Sequence, residues 1–372
     1  MSKPKLIVVG NGMAGVRTLE ELCRVAPDRY DITVFGAEPH PNYNRIMLSP
    51  VLAGELTVQD IILNDFDWYQ RMGIQLVTGQ KIIEIDRQAR TVRAADGQTH
   101  AYDRLLLATG STPFIPPVPG STLPGVHAYR DIADADAMIE AAARYRHAVV
   151  IGGGLLGLEA ANGLAVRGMA VTVVHLGEWI MERQLDQPAA GMLQAALQAK
   201  GLQFRLAAQT ASLVQGESGR VCAVTLQSGE SLPADLVVMA AGIRPNTALA
   251  ESAGLQCQRG IVVNDALQTS DLDIYAVGEC ANHRGVAYGL VAPLFEQAEV
   301  VARQLASDRA AAYHGSVTST KLKVTGIDVF SAGNFMGGAG CEDIVLSDPA
   351  GGVYKRVVIQ EDRIVGALAY GD

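Results

Sequence analysis

The feature that most constrains this chain is a glycine-rich turn that occurs twice, each time between an apolar strand pattern and a helix pattern. Leu6-Ile-Val-Val-Gly-Asn-Gly-Met-Ala-Gly15 is matched later by Ala148-Val-Val-Ile-Gly-Gly-Gly-Leu-Leu-Gly157. A second landmark repeats in the same order. Tyr102-Asp-Arg-Leu-Leu-Leu-Ala-Thr-Gly110 and Ala234-Asp-Leu-Val-Val-Met-Ala-Ala-Gly242 both end an apolar run in a small residue and a glycine. Each turn opens a unit that a later strand closes, so two copies of one nucleotide-binding architecture are expected.

A G-x-G-x-x-G turn has a division of labour. Its first glycine permits the tight turn, and its second lets a pyrophosphate approach the backbone. The third lets the helix pack on the strand, so that the helix N-terminal amides face the anion. Gly10, Gly12 and Gly15, with Ala14 in the turn, fill these places in the first copy; Gly152, Gly154 and Gly157, with Leu156, fill them in the second. The pattern predicts strands at Leu6–Val9 and Asp31–Phe35 around a helix over Gly15–Val25. The second copy predicts strands at Ala148–Ile151 and Ala170–Leu176 around a helix over Gly157–Arg167. Beyond the second strand of the first copy, Glu38 is placed to accept hydrogen bonds from an adenosine ribose. The matching position in the second copy is His175. An acid there would favour NADH and an arginine NADPH, so this position leaves the choice open.

The stretch from Ser111 to Gly125 holds Pro113, Pro116, Pro117, Pro119 and Pro124 and reads as a connection between domains. Asp273–Gly278 is a further apolar strand, followed by a helix over about 292–305 with Pro293 in its first turn. From Thr318 the pattern changes to short alternating strands, including Tyr354–Gln360 and Arg363–Tyr370. The fold class expected is α/β: two Rossmann-like dinucleotide-binding domains and a small C-terminal α+β domain. Residues 1–115 and 237–313 are assigned to the first domain, 116–236 to the second and 314–372 to an interface domain, for docking or for a second copy.

Composition narrows the function. A net charge of −9 disfavours nucleic-acid binding, which needs clustered Lys and Arg. The five cysteines, Cys23, Cys222, Cys257, Cys280 and Cys341, form no CxxC or CxxxxC pair. That speaks against a disulfide framework, a zinc site and a dithiol centre, and for free thiols in the cytoplasm. The seven histidines show no HxxxH or other ligand spacing, and no metal is assigned. Residues 148–166 have the length of a membrane span but carry Glu159, Asn162 and five glycines; a buried strand–turn–helix explains them better.

These motifs, in this order, resemble the two-dinucleotide-binding flavoprotein reductases, the pyridine nucleotide–disulfide oxidoreductase class. A closer similarity is to the FAD/NAD(P)H module of the NAD(P)H-dependent nitrite reductase large subunit. It rests on Tyr43-Asn-Arg-Ile-Met-Leu-Ser49, Gly152–Ala160, Gln184-Leu-Asp-Gln187, Gly242-Ile-Arg-Pro245, Gly278-Glu-Cys280 and Lys321-Leu-Lys323, and runs from Lys3 to Asp372. The resemblance implies FAD at the first turn and NAD(P)H at the second. It places Arg45, Thr109, Gly110 and Arg130 near the FAD, Gly278 and Glu279 at its ribitol, and the helix starting near Leu290 and Val291 at the flavin pyrimidine. Glu159 would position the nicotinamide, and Gly242 would line the NAD(P) site. Most of the wider class has Asp where Glu279 stands, and often Lys where this chain has Pro50, so no lysine–flavin contact is carried over.

Hydride transfer from nicotinamide to flavin needs stacking and orientation more than a protein acid or base, so no catalytic residue is assigned, and Glu159 is a candidate for positioning the nicotinamide only. Nitrite reduction in the resembled enzyme uses sirohaem and a cysteine-ligated cluster on later domains, and these five cysteines lack cluster spacing. The expected role is therefore a reductase component. It would pass electrons from NAD(P)H through FAD to a nitrate or nitrite reductase subunit, in nitrate assimilation, or to a rubredoxin or ferredoxin. A coenzyme A disulfide reductase or peroxidase would want a cysteine near the flavin, where Asn42, Tyr43 and Asn44 stand. A reading of another class is a flavin redox sensor that binds NAD(P)H without turnover.

Overall fold

The computed structural model describes residues 3–324 and 326–371; Met1, Ser2, Thr325 and Asp372 lie outside it, as do the side chains of residues 321–324, which include Lys321-Leu-Lys323. The chain divides into two compact units. One takes in the residues up to Arg45, Ile61–Thr112 and Arg244–Ser316; the other takes in Ile46–Asp60, Pro113–Ile243 and the residues from Val317 on.

The first unit is built on a five-stranded parallel sheet. Its strands run in the order Ile274–Ala276, Arg104–Leu107, Lys5–Val9, Asp31–Phe35 and Ile74–Val77. The second unit repeats the plan in the order Val126–Ala128, Leu236–Met239, His147–Ile151, Ala170–Val174 and Gln203–Arg205, again all parallel. In both, the strand that leads into the glycine turn lies between the second strand and the closing strand. The near-continuous apolar runs fit strands covered on both faces. Leu6, Val8, Leu105, Leu106, Leu107, Leu236, Val237 and Val238 are all fully buried.

Helices Met13–Val25 and Leu155–Val166 follow the two turns and start immediately after Gly12 and Gly154, a little earlier than the sequence pattern suggests. The reason is local: the second glycine of each turn is itself the N-cap residue, in extended conformation. The strand expected over 170–176 ends at Val174, and that over 273–278 covers Ile274–Ala276. A 15-residue helix, Val291–Leu305, packs in the first unit against Met13–Val25. Each unit also carries a three-stranded antiparallel sheet, Ile82–Asp86 with Thr91–Ala94 and Thr99–Ala101 in one, Thr210–Gln215 with Val221–Leu226 and Ser231–Pro233 in the other.

The C-terminal segment differs from the α+β expectation. Its described elements are five antiparallel strands, in the order Ser319–Val324, Ile327–Gly333, Arg363–Tyr370, Val353–Gln360 and Glu342–Asp348. In Val353–Gln360 the buried residues Tyr354 and Val358 lie an even number of positions apart, which puts them on one packed face of the sheet.

Candidate nucleotide-binding sites

In the first unit, Gly10 leaves the strand with φ +112, and a Cβ there would lie 2.1 Å from the carbonyl oxygen of Ala108. Only glycine fits. A Cβ at Gly15 would come within 2.9 Å of both Ala108 Cβ and the Gly10 oxygen, which is how closely the helix meets the closing strand. Gly12 is the opposite case: its Cβ would meet nothing within 4 Å, and no side chain caps the helix that it opens. The turn thus combines open space with unsatisfied helix amides, as an anion cradle requires. Ala14 is buried beneath it, 3.0 Å from where a Gly278 Cβ would stand.

The other residues expected around this site each have local partners of their own. Glu38 accepts from the Tyr43 hydroxyl at 2.7 Å and pairs with Arg45, whose guanidinium also lies over the Tyr43 ring. The turn at Thr109 and Gly110 is held by Asn246. The Thr109 hydroxyl donates to the Asn246 carbonyl at 2.9 Å, and the Asn246 side-chain amide returns a bond to the Thr109 carbonyl at 2.7 Å. The backbone N–H of Asn246 reaches the Gly110 carbonyl at 2.9 Å. Glu279 accepts from Ser111 Oγ at 2.7 Å, and the Gly278 amide donates to buried Gln297 at 2.9 Å. Leu290 is the N-cap of helix Val291–Leu305 and provides no side-chain cap, so that helix too starts with open amides. Arg130 lies in the second unit, where its backbone N–H donates to Asp134.

Sequence reasoning passed over Asn246, Ser111, Gln297 and Asn11, which accepts from the Tyr69 hydroxyl at 2.6 Å. No local pattern marks them, because each partner is distant in sequence. Cys280 is fully buried, with its thiol against the Leu107 and Val277 carbonyls, and burial pushes its pKa up. Such a thiol is a packing group rather than a nucleophile.

The second unit repeats the glycine logic. A Cβ at Gly152, φ +127, would lie 2.2 Å from the Ala240 carbonyl oxygen, and one at Gly157 would lie 2.0 Å from the Gly152 oxygen. Gly154 is open, with nothing within 4 Å, and caps Leu155–Val166 without a side-chain bond. Leu156 sits in that first turn, and Gly242, φ +114, is likewise open.

Glu159, one turn into the same helix, is half-buried and accepts a 2.6 Å bond from Ser49 Oγ. Tyr129 donates to the same Ser49 oxygen at 3.2 Å. Burial pushes the Glu159 carboxyl above its ordinary range, with the Ser49 bond acting the other way. Ser49 belongs to the short helix Leu48–Ala53, which belongs to this unit although it is encoded within the first copy.

His175 is buried at the end of the second strand. The Gly153 amide donates to its Nδ1 at 3.0 Å, and its Nε2 meets Glu182 Oε2 at 2.9 Å. A nitrogen that accepts from an N–H carries no proton, so the proton sits on Nε2 and is donated to Glu182. Glu182 was not singled out from the sequence.

Comparison with known proteins bears on this geometry. Residues 4–304 match the family described as Pyridine nucleotide-disulphide oxidoreductase, and residues 319–372 match the Rubredoxin NAD+ reductase C-terminal domain. The chain is 52% identical over 372 residues to Nitrite reductase [NAD(P)H] of Bacillus subtilis, with 100% of this chain and 46% of that protein covered. It is 47% identical over 374 residues to the Assimilatory nitrate reductase electron transfer subunit of the same organism, covering 100% of this chain and 48% of that one. The chain thus spans about half the length of these curated relatives. Among solved structures, the covalent putidaredoxin reductase–putidaredoxin complex superposes with a TM-score of 0.90 at 29% identity, covering 100% of this chain and 90% of that one. By its paired nucleotide folds and by the match over residues 4–304, the chain belongs to the pyridine nucleotide-disulphide oxidoreductase family.

Proposed function

We propose that this chain is an FAD-dependent NAD(P)H oxidoreductase that delivers electrons to a separate redox protein, in the first instance a component of a nitrate or nitrite reductase system. The observation that carries the reading is the paired turn: in one chain, Gly12 and Gly154 each leave open space before an uncapped helix N-terminus. That space fits the pyrophosphate of a dinucleotide, and a side chain would fill it. The names of the two Bacillus subtilis relatives support the choice of partner.

FAD would be held by Gly10, Gly12, Ala14, Gly15, Glu38, Arg45, Thr109, Gly110, Arg130, Gly278, Glu279, Leu290 and Val291. Bound there, it supplies the ability to accept a hydride and release electrons singly. The amides at Leu290 and Val291 present the positive end of a helix dipole, suited to developing negative charge. NAD(P)H would be held by Gly152, Gly154, Leu156, Gly157, His175 and Gly242, with Glu159 orienting the nicotinamide amide. We assign 1–115 and 237–313 to the FAD domain, 116–236 to the NAD(P) domain and 314–372 to the interface domain. Among the described residues no helix is long and apolar enough to cross a membrane. We place the protein in the cytoplasm, where NAD(P)H is supplied.

Purified protein is expected to be yellow and to bleach anaerobically with NADH or NADPH, then recover colour with a one-electron acceptor. Colourless protein that FAD does not reconstitute would defeat the reading. A rubredoxin or ferredoxin as acceptor is the second reading, favoured by the C-terminal match over 319–372. Slow bleaching with no turnover of any acceptor would point instead to a sensor.

A further inference from the structure

We propose that Glu182, braced by His175, selects NADH over NADPH at the second nucleotide site; this rests on the reading of that site as an NAD(P)H site. The adenosine ribose of a dinucleotide lies between the glycine turn and the end of the second strand, where an acid or a cation decides whether a 2′-phosphate is tolerated. Here that place is taken by His175, and the imidazole is fully committed. Its Nδ1 accepts from the Gly153 amide at 3.0 Å and its Nε2 proton goes to Glu182 at 2.9 Å. Glycines hold it on two sides: a Cβ at Gly153 would stand 2.8 Å from His175 Cγ, and one at Gly177 2.8 Å from Nε2. The ring has no donor left for a phosphate.

The charged end of the arrangement is therefore the carboxylate of Glu182. Its position is fixed twice. Besides the imidazole bond, the loop that carries it is tied directly to the glycine turn, because the Met181 amide donates to the Gly153 carbonyl at 2.9 Å. Met181 is buried and takes a left-handed φ of 54°, which turns the chain back over Gly153. Gln184 and Leu185 then donate to the Met181 carbonyl and close the loop. Both backbone polar groups of Gly153, its N–H and its carbonyl, are used to bring one side chain to the turn. The Glu182 side chain is 44% exposed and so open to an arriving ribose. A carboxylate accepts from ribose hydroxyls and repels a 2′-phosphate. The cation at the end of the neighbouring strand, Arg205 of Gln203–Arg205, is occupied by Glu230, with its Nε 2.8 Å from Oε1. Arg183, next to Glu182, is exposed and is the competing candidate.

The test uses the full chain with FAD bound, titrated calorimetrically with ADP-ribose and with 2′-phospho-ADP-ribose, which differ only in the phosphate at issue. The parent protein should prefer ADP-ribose by about tenfold or more, and Glu182→Gln should bring the two within about threefold by strengthening the phosphorylated ligand. The ratio of KM values for NADPH and NADH in anaerobic flavin reduction should narrow in parallel. Equal affinities in the parent, a preference for the phosphorylated ligand, or an unchanged ratio in Glu182→Gln would each overturn the proposal. Failure of both ligands to bind while FAD remains bound would instead remove the second nucleotide site itself, and the proposal with it.

Discussion

At the scale of single residues the glycines of each turn divide into two kinds, and substitution should separate them. Alanine at Gly10 or Gly152 would drive a Cβ to 2.1 or 2.2 Å from a carbonyl oxygen at a φ that alanine rarely adopts. We expect a loss of about 2–4 kcal/mol in stability, read as a fall in the urea midpoint. Alanine at Gly154 meets nothing within 4 Å and keeps an ordinary backbone, with φ −81. It should fold within about 1 kcal/mol of the parent yet bind NAD(P)H at least about tenfold more weakly, because its methyl group occupies the pyrophosphate space. Equal destabilisation at the two kinds of glycine would contradict this division.

Glu159 yields a prediction with the sign set by its environment. Burial raises its folded-state pKa above the ordinary 4.5, so the folded protein holds that proton more tightly than the unfolded chain does. Its contribution to stability is thus fully present below the ordinary value and is lost as pH rises through the raised one. Glu159→Gln, which keeps an acceptor for Ser49, should be more stable than the parent at about pH 7 and indistinguishable from it at about pH 4. Paired urea titrations at the two pH values check this. A variant that is less stable at neutral pH would show that the carboxylate is a net stabilising group. The glycine turns were legible because their spacing is local, whereas Glu159 was singled out through the family resemblance alone. Ser49, Tyr129, Asn246 and Glu182 were not, since each acquires its meaning from a partner that only the folded chain brings near.

At the scale of elements, alternation and apolar runs marked the parallel strands and the helices after each turn. The attachment of residues 46–60 to the second unit was not legible, because it is made by packing across the sequence. Helix Leu48–Ala53 lies on helix Leu155–Val166, where a Cβ at Gly163 would come 2.8 Å from Leu52 Cγ. Arg167 caps its C-terminal end, donating to the Leu52 carbonyl and, at 3.3 Å, to that of Val51. The same short helix carries Ser49, whose hydroxyl donates to Glu159.

Within the second unit, the five-stranded C-terminal sheet is tied to helix Gln187–Ala199. Buried Asp186 caps helix Gln187–Ala199 and also receives the Tyr354 hydroxyl at 2.7 Å and Arg356 at 3.1 Å. Asparagine is as good an N-cap as aspartate, so Asp186→Asn removes the charge while keeping the cap. We expect it to cost about 1–3 kcal/mol, because half-buried Arg356 keeps Asp343 as its remaining charged partner, and Asp186→Ala to cost about 1 kcal/mol more. Denaturant unfolding of the three proteins separates the two contributions; a neutral Asp186→Asn would mean that Asp343, at 2.6 Å from the same guanidinium, suffices alone.

At the scale of the whole molecule, the duplicated order of strand, glycine turn, helix and closing strand makes the architecture readable from the chain alone. Partner choice is a different matter, since it depends on the field that the entire surface projects. The net charge is −9, and at long range an acidic carrier such as a ferredoxin or rubredoxin meets repulsion, whereas a basic acceptor such as cytochrome c is drawn in. Salt shortens the reach of that field to about 8 Å near physiological ionic strength. Electron delivery to cytochrome c, followed as NADH-dependent reduction under steady-state conditions, should therefore slow as salt is raised. Delivery to an acidic carrier should quicken over the same range if the net charge governs encounter. If it slows as well, a local basic patch outweighs the net charge at the docking site, and charge reversal of individual Arg and Lys residues would then locate it. A rate independent of salt for both acceptors would mean that neither encounter limits turnover, and that the slow step lies within the reductase itself.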